Sequence, residues 1–254
     1  MPFLFLSPST QDFNPYVTTG NEQYWMNRIA DEMEPYLRAS GVTFTRNNPA
    51  GNAAQSIRAS NAGQYDFHLA LHSNAMPEAS AGTARGVDIY YSPMSEAGLR
   101  MANIIVDNLR PIYPLPNKVR ALSTVAIGEV RRTRAPAVLA ELGYHDNLED
   151  EAWITGNVEP IAAALVESVC EYFGLPFLQP TERREGTVVL TSGTLNLRGA
   201  PSYEAPALAQ IPNGETIPVW GEYDNWYVVE YDGIFGYVRG EYLRLAGETV
   251  IQPR

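Results

Sequence analysis

The chain of 254 residues carries 18 Lys and Arg against 29 Asp and Glu, a net charge of −11, so it lacks the cationic excess that general binding to nucleic acid or an anionic membrane needs. Its 45% hydrophobic and 19% charged residues are those of an ordinary globular protein of one or two domains, not of a disordered chain. The one cysteine, Cys170, excludes an intramolecular disulfide, which suits cytosolic synthesis and many exported bacterial proteins alike.

The opening MPFLFLSPS is too short and lacks the basic residues of a secretory leader. No run of about 18 apolar residues follows to span a bilayer, so no transmembrane segment is expected. Phe3–Leu6 reads as a strand. Asn21–Ser40 reads as a helix opened by Asn21 and closed by Gly41, with Trp25, Ile29, Met33 and Leu37 at helical spacing. Pro35 is expected to kink or rearrange its last turns. Val42–Arg46 is a predicted strand, Asn52–Ala62 a helix, Asp66–Leu71 and Val87–Tyr91 strands, and Ser95–Leu109 a third helix. Ala137–Glu141 is a further buried strand and Val158–Phe173 a last helix ended by Gly174. Strands separated by helices predict an α/β fold with a mostly parallel, helix-covered, twisted sheet, whose ligands gather at the carboxyl ends of the strands.

Near residue 175 the pattern changes. Pro176, Pro180 and "TERRE" make a linker over 176–184, and from Glu185 short alternating runs with Asn-Gly and Asp-Gly turns predict the hairpins of a small all-β barrel over 185–246. The expected organisation is therefore 1–175, linker, 185–246 and a tail over 247–254.

Three predicted elements end in chemistry-bearing groups. The loop "SPSTQDFN" leads to a helix with Glu22 in its first turn, "DFHLALHSNA" reaches His72, and "PAVLAELGYHDN" reaches Glu141. Glutamate and histidine at neighbouring strand ends supply the N and O ligands of a catalytic zinc, with a carboxylate left to take a proton from water. Each also has a plainer reading: Glu22 is favoured by the helix dipole, and His72 can be a structural histidine. His68 shares a strand face with His72 but lies about 13 Å away along the strand, so it is expected behind the ligands, not among them.

Taken together, "DFHLALHSNA" and "PAVLAELGYHDN" resemble the paired motifs of the N-acetylmuramoyl-L-alanine amidase family of zinc hydrolases over roughly residues 2–173. The resemblance implies that Glu22 and His72 bind zinc, that Glu141 is the catalytic glutamate and that Asn74 contacts substrate. One departure matters, because Thr10 stands about where the family carries its first histidine ligand. His145 is the expected substitute, with Asp146 fixing its loop or orienting it. The competing arrangement makes His145 a hydrogen-bond donor to the transition state and Asp12 the third ligand. Arg131, Arg132 and Arg134, in "EVRRTRAP", are candidates for holding stem-peptide carboxylates, with Glu129 paired to one of them.

The C-terminal run, with "LNLRGAPS" and "WYVVEYDGIFGYV", resembles a bacterial SH3 domain, which implies an SH3-like barrel that binds cell-wall peptide. Trp220, Trp226, Tyr227 and Tyr237 are its core or its groove. The expected protein is thus a monomeric, zinc-dependent hydrolase of Gram-positive peptidoglycan that acts outside the cell. A leaderless phage lysin released through a membrane pore fits that description. Two rivals are open: a wall-binding protein with a degenerate amidase domain, and a metallopeptidase of the stem peptide.

Overall fold

The computed structural model describes residues 2–247, so all but the first residue of the expected tail lies outside the described residues. Those residues divide into two compact units, 2–34 with 44–173 and 35–43 with 174–247. In the first unit the strands are β1 (Phe3–Pro8), β2 (Thr43–Arg46), β3 (Phe67–Asn74), β4 (Val87–Tyr91), β5 (Val119–Ser123) and β6 (Ala137–Tyr144). They form one sheet in the order β2-β1-β3-β6-β4-β5. β1, β3 and β6 run parallel, as do β4 and β5, while β4 and β6 are antiparallel. The sheet is therefore mixed but mostly parallel.

Two helices start where the sequence supplies a side-chain cap. Asn52 Oδ1 accepts from Gln55 N at 3.0 Å before α2 (Ala53–Ala62), and Ser95 Oγ from Gly98 N at 2.9 Å before α3 (Glu96–Leu109). In both, a side-chain oxygen satisfies an amide with no intrahelical partner. The first helix, α1 (Glu22–Ala39), continues through Pro35 to Ala39. Three elements carried too little pattern to be predicted: β5, the single turn α4 (Gly128–Arg131) and α5 (Leu148–Gly156). The last helix of this unit, α6 (Val158–Phe173), has its expected bounds.

The two faces of the sheet differ in kind. One is apolar throughout, with Leu4, Leu6, Phe67, Leu69, Leu71, Val138 and Ala140 all fully buried, and Phe67 meets Tyr172 of α6 edge to face. The other carries Phe5, Ser7, His68, Ala70, His72, Leu139 and Glu141, because register pairs Phe5 with His68, Ser7 with Ala70, and His72 with Glu141 and alternate residues share a face. Over its middle lies α4, with Val130 packed on Ala70 and Leu139.

The second unit is all β: β7 (Arg184–Val188), β8 (Thr194–Arg198), β9 (Ala207–Pro212), β10 (Thr216–Tyr223), β11 (Trp226–Tyr231), β12 (Ile234–Arg239) and β13 (Leu243–Leu245). They pair in the order β13-β7-β10-β11-β12-β8-β9, antiparallel throughout. Val188, Leu197, Ile217, Val219, Val229 and Val238 form the centre of its core. Two hairpins turn at Asp224-Asn225, φ 45° and 61°, and Asp232-Gly233, φ 51° and 74°, the left-handed pairs of two-residue loops. Among the described residues, no helix is long and apolar enough to cross a membrane.

Just past Glu141, Gly143 holds φ +87°, where an added Cβ would meet Ile154 at 3.3 Å and Asp150 at 3.4 Å. Gly143→Ala is expected to destabilise the protein by about 1–2 kcal/mol, the cost of a left-handed non-glycine residue, measured by chemical denaturation.

Candidate active site

The buried polar face is organised around Glu129, which the short turn α4 lowers onto the sheet. Its Oε1 accepts from Ser7 Oγ at 2.6 Å and lies 3.2 Å from His68 Nε2, and its Oε2 lies 3.3 Å from His72 Nε2. All four residues are buried. Burial opposes the charge on Glu129, but the two histidines outweigh it and hold the carboxyl at about 2. The ring of His68 stacks on Phe5, with centroids 5.2 Å apart, and its Nδ1 lies 3.0 Å from Ser60 Oγ.

The other nitrogen of His72 faces the start of α1. Nδ1 lies 2.7 Å from Glu22 Oε1, and Glu22 Oε2 accepts from Asn14 Nδ2 at 2.6 Å. Burial raises the pKa of Glu22, but His72 and Asn14 reverse the sign and leave it below the usual range. For His72, burial disfavours the cation; Glu129 and Glu22 bonded to its two nitrogens overcome that and raise it well above its ordinary value. The loop before α1 is tied to the helix start: Asn14 O accepts from Glu22 N at 2.9 Å and Gln11 O from Gln23 N at 3.3 Å, so two amides of the helix's first turn find backbone partners. This ties down the backbone that carries the Gln11 side chain, whose Nε2 is 3.4 Å from Glu22 Oε1 and 3.3 Å from His72 Nδ1.

Glu141 completes the group. It is the register partner of both His72 on β3 and Asp88 on β4, and its Oε2 is buried without a hydrogen-bond partner. Burial pushes its carboxyl up to about 7; His72 works the other way, and Glu22 and Asp88 add to the rise. A carboxyl tuned close to neutrality can take and return a proton near pH 7.

The structure brings Glu22, His72 and Glu141 together, with His68 behind Glu129. It does not bring His145 to them. That ring stacks on Tyr16, with centroids 5.4 Å apart, and its Nδ1 lies 2.8 Å from Ser73 O and 3.0 Å from Ser73 Oγ. Asp12 is exposed. Among the described residues, no three His, Cys, Asp or Glu side chains are grouped to hold a metal. Asp146 Oδ2 accepts from Met76 N at 3.1 Å and Gly82 N at 2.9 Å, tying down the loop after β3. Asn74 sits at the end of β3, with its carbonyl accepting from His145 N at 2.8 Å. Arg131, Arg132 and Arg134 are exposed, and Arg131 and Arg134 line a separate small cavity beside Pro136. The expected pairing of Glu129 with an arginine is also replaced: it bonds to His68, His72 and Ser7. Its role was hidden because a four-residue turn gives no periodicity to place its side chain.

Residues 11–171 match the family described as N-acetylmuramoyl-L-alanine amidase. The chain belongs to that family. The match starts at Gln11, after Thr10, and a second one, to the bacterial SH3 domain, covers residues 193–244. Among solved structures, the chain is similar to the catalytic domain of CwlV, an N-acetylmuramoyl-L-alanine amidase from Bacillus (Paenibacillus) polymyxa var. colistinus, at 17% identity and TM-score 0.61, over 69% of this chain and 100% of that one. It is similar to the amidase AmiC2 of Nostoc punctiforme at 16% identity and TM-score 0.58, over 68% and 97%. The catalytic domain of the CD27L endolysin targeting Clostridia difficile aligns at 22% identity and TM-score 0.55, over 67% and 98%. No curated protein matches the chain.

The C-terminal unit of this amidase-family chain holds a second candidate site, a cavity of about 560 Å³ lined by Tyr203, Trp226, Tyr242, Arg198, Arg239 and Glu241, among others. Arg239 lies over the rings of Trp226 and Tyr203 at 5.5 and 5.6 Å. Trp226 therefore serves core and cavity wall, whereas Tyr237 is fully buried.

The electrostatics of Glu141 predict a stability signature. Between its unfolded value near 4.5 and its folded value of about 7, the folded protein keeps a proton that the unfolded chain releases. Stability contributed at this site therefore falls as pH rises through that window, by up to about 3 kcal/mol. In chelator-treated protein, Glu141→Gln is expected to melt higher than wild type at pH 8 and to lose that advantage at pH 4; thermal melts at the two pH values check it.

Proposed function

We propose that this chain is a zinc-dependent peptidoglycan amidase that cleaves the bond between the lactyl group of N-acetylmuramic acid and the L-alanine of the stem peptide, and that its SH3 unit holds it to Gram-positive walls. The observation that carries the reading is the buried, partnerless Oε2 of Glu141 on the face that also holds the Glu22–His72 pair.

Glu22 and His72 suit two of the ligand positions of a zinc ion. With Nε2 of His72 turned to the carboxylate of Glu129, the lone pair of a neutral ring falls on Nδ1, beside the Glu22 oxygen; a carboxylate behind a histidine is the usual support of a metal ligand. Glu22 and His72 would hold the ion, which supplies the Lewis acidity that polarises an amide carbonyl and makes water a nucleophile near neutral pH. Glu141 takes the proton of the attacking water and then delivers it to the nitrogen of the leaving L-alanine, as a carboxyl held near pH 7 is suited to do. Glu129 keeps the His72 ring oriented, and Ser7 and His68 keep Glu129 in place.

A second reading is favoured by one observation, the absence among the described residues of three grouped His, Cys, Asp or Glu ligands. In that reading the first unit has lost its metal and only the SH3 unit acts on walls.

Two experiments test the proposal. Glu141→Gln is expected to lower hydrolysis of purified walls by at least about 100-fold with bound zinc retained, and mass spectrometry of the wild-type digest should find free muramic lactyl carboxyls and new L-alanine amino termini. A folded, fully active Glu141→Gln protein, or cleavage within the stem peptide, contradicts it. For the SH3 unit, Tyr203 is 59% exposed, so Tyr203→Ala should leave the melting temperature nearly unchanged. It should weaken co-sedimentation of the full chain with walls by roughly tenfold, the scale of one lost aromatic contact.

A further inference from the structure

The amidase reading leaves the metal one donor short, since catalytic zinc sites generally use three protein ligands and Glu22 with His72 supplies two. We propose that the third ligand is the side-chain amide oxygen of Gln11. The inference rests on the zinc reading above and deepens it.

Three observations lead there. The first is convergence. The terminal amide of Gln11 lies 3.3 Å from His72 Nδ1 and 3.4 Å from Glu22 Oε1, and those two atoms are 2.7 Å apart. Ligand atoms held about 2.0–2.1 Å from a tetrahedral ion lie about 3.3 Å from one another. Two of the three separations already have that value, and the third is a hydrogen bond that would open by about 0.6 Å to admit the ion.

The second observation is fixation. Gln11 N donates to Ser9 Oγ at 3.2 Å and Gln11 O accepts from Gln23 N at 3.3 Å, so the backbone that carries this side chain is tied to both the strand end and the helix start. In the arrangement seen here the amide N–H faces the Glu22 carboxylate at 3.4 Å. A half-turn about the last side-chain bond exchanges Nε2 and Oε1 and turns a carbonyl oxygen to the same place. That turn gives up the Nε2 contacts to Glu22 Oε1 and His72 Nδ1, which the ion would replace, and the 3.3 Å contact from Asn14 Nδ2 to Gln11 Oε1, while Asn14 keeps its 2.6 Å bond to Glu22 Oε2.

The third is charge. A carboxamide is neutral, as a histidine ligand is, so His72, Glu22 and Gln11 together leave a divalent ion with one net positive charge. A carboxylate in the same place would cancel that charge and with it much of the ion's pull on a carbonyl oxygen. Asp12, the neighbouring carboxylate, is exposed, and His145 is engaged with Ser73 and Tyr16.

The test uses the full chain and zinc alone. Affinity is measured by competition with a chromophoric chelator, and the ligands are counted by X-ray absorption at the zinc edge. Gln11→Ala is expected to weaken zinc binding by at least about 100-fold, the upper end of what loss of a supporting residue costs. Thr10→Ala and His145→Ala should leave it unchanged. The wild-type spectrum should show one imidazole and that of Gln11→His two, a readout that stands even if the alanine variant folds poorly. Wild-type affinity in Gln11→Ala, or two imidazoles in the wild-type spectrum, overturns the Gln11 assignment while leaving the zinc reading intact. Failure of the wild-type chain to bind zinc at all overturns both.

Discussion

The imidazole of His72 between two carboxylates is the interaction on which the rest of this site depends. Its Nε2 lies 3.3 Å from Glu129 and its Nδ1 2.7 Å from Glu22, and all three residues are buried. Burying two carboxylates is costly unless each is paired and fully hydrogen-bonded. The fold meets that condition with parts drawn from far apart in the chain: Ser7 from the first strand, Asn14 from the first loop, His68 from the third strand and Glu129 from a helical turn. Removing any one leaves a buried charge short of a partner, so the network ties β1, β3, α1 and α4 into one arrangement.

The same arrangement explains why Glu141 differs from the other two glutamates. Glu22 and Glu129 sit at hydrogen-bonded places beside a histidine and are held ionised. Glu141 is equally close to the site by strand register, yet its Oε2 has no donor, and burial with Glu22 and Asp88 nearby pushes it up to about 7. Three buried glutamates thus divide into two held ionised beside His72 and one tuned close to neutrality. Environment, not residue type, assigns these roles.

Much of this was legible in the sequence, for physical reasons that can be named. The helices with strong apolar spacing, Glu96–Leu109 and Val158–Phe173, have nearly their expected bounds, because amphipathic periodicity over three or more turns is a strong signal. Glu22, His72 and Glu141 were visible because each closes or opens a strongly patterned element. What the sequence hid was everything carried by short or aperiodic segments: the turn Gly128–Arg131 that delivers Glu129, the loop that presents Gln11, and β5. The antiparallel pairing of β4 with β6 was hidden as well, because strand direction is set by connections that leave no local trace. His145 was expected beside Glu22 and His72 because it lies just past Glu141 at the same sheet edge and the family resemblance left a ligand position to fill. The chain past Gly143, at φ +87°, instead turns its ring to Ser73 and Tyr16.

We propose that the Glu22–His72 pair, with Glu141 facing it, is a metal centre and not only a buried ion network. Anomalous diffraction at the zinc edge from crystals of the full chain grown with zinc tests it most directly. A metal centre there gives a single strong peak between His72 Nδ1 and Glu22 Oε1, in reach of Glu141, with the His145 ring still on Ser73. No peak at that position in a crystal soaked with excess zinc, with the 2.7 Å bond between His72 and Glu22 intact, would contradict it.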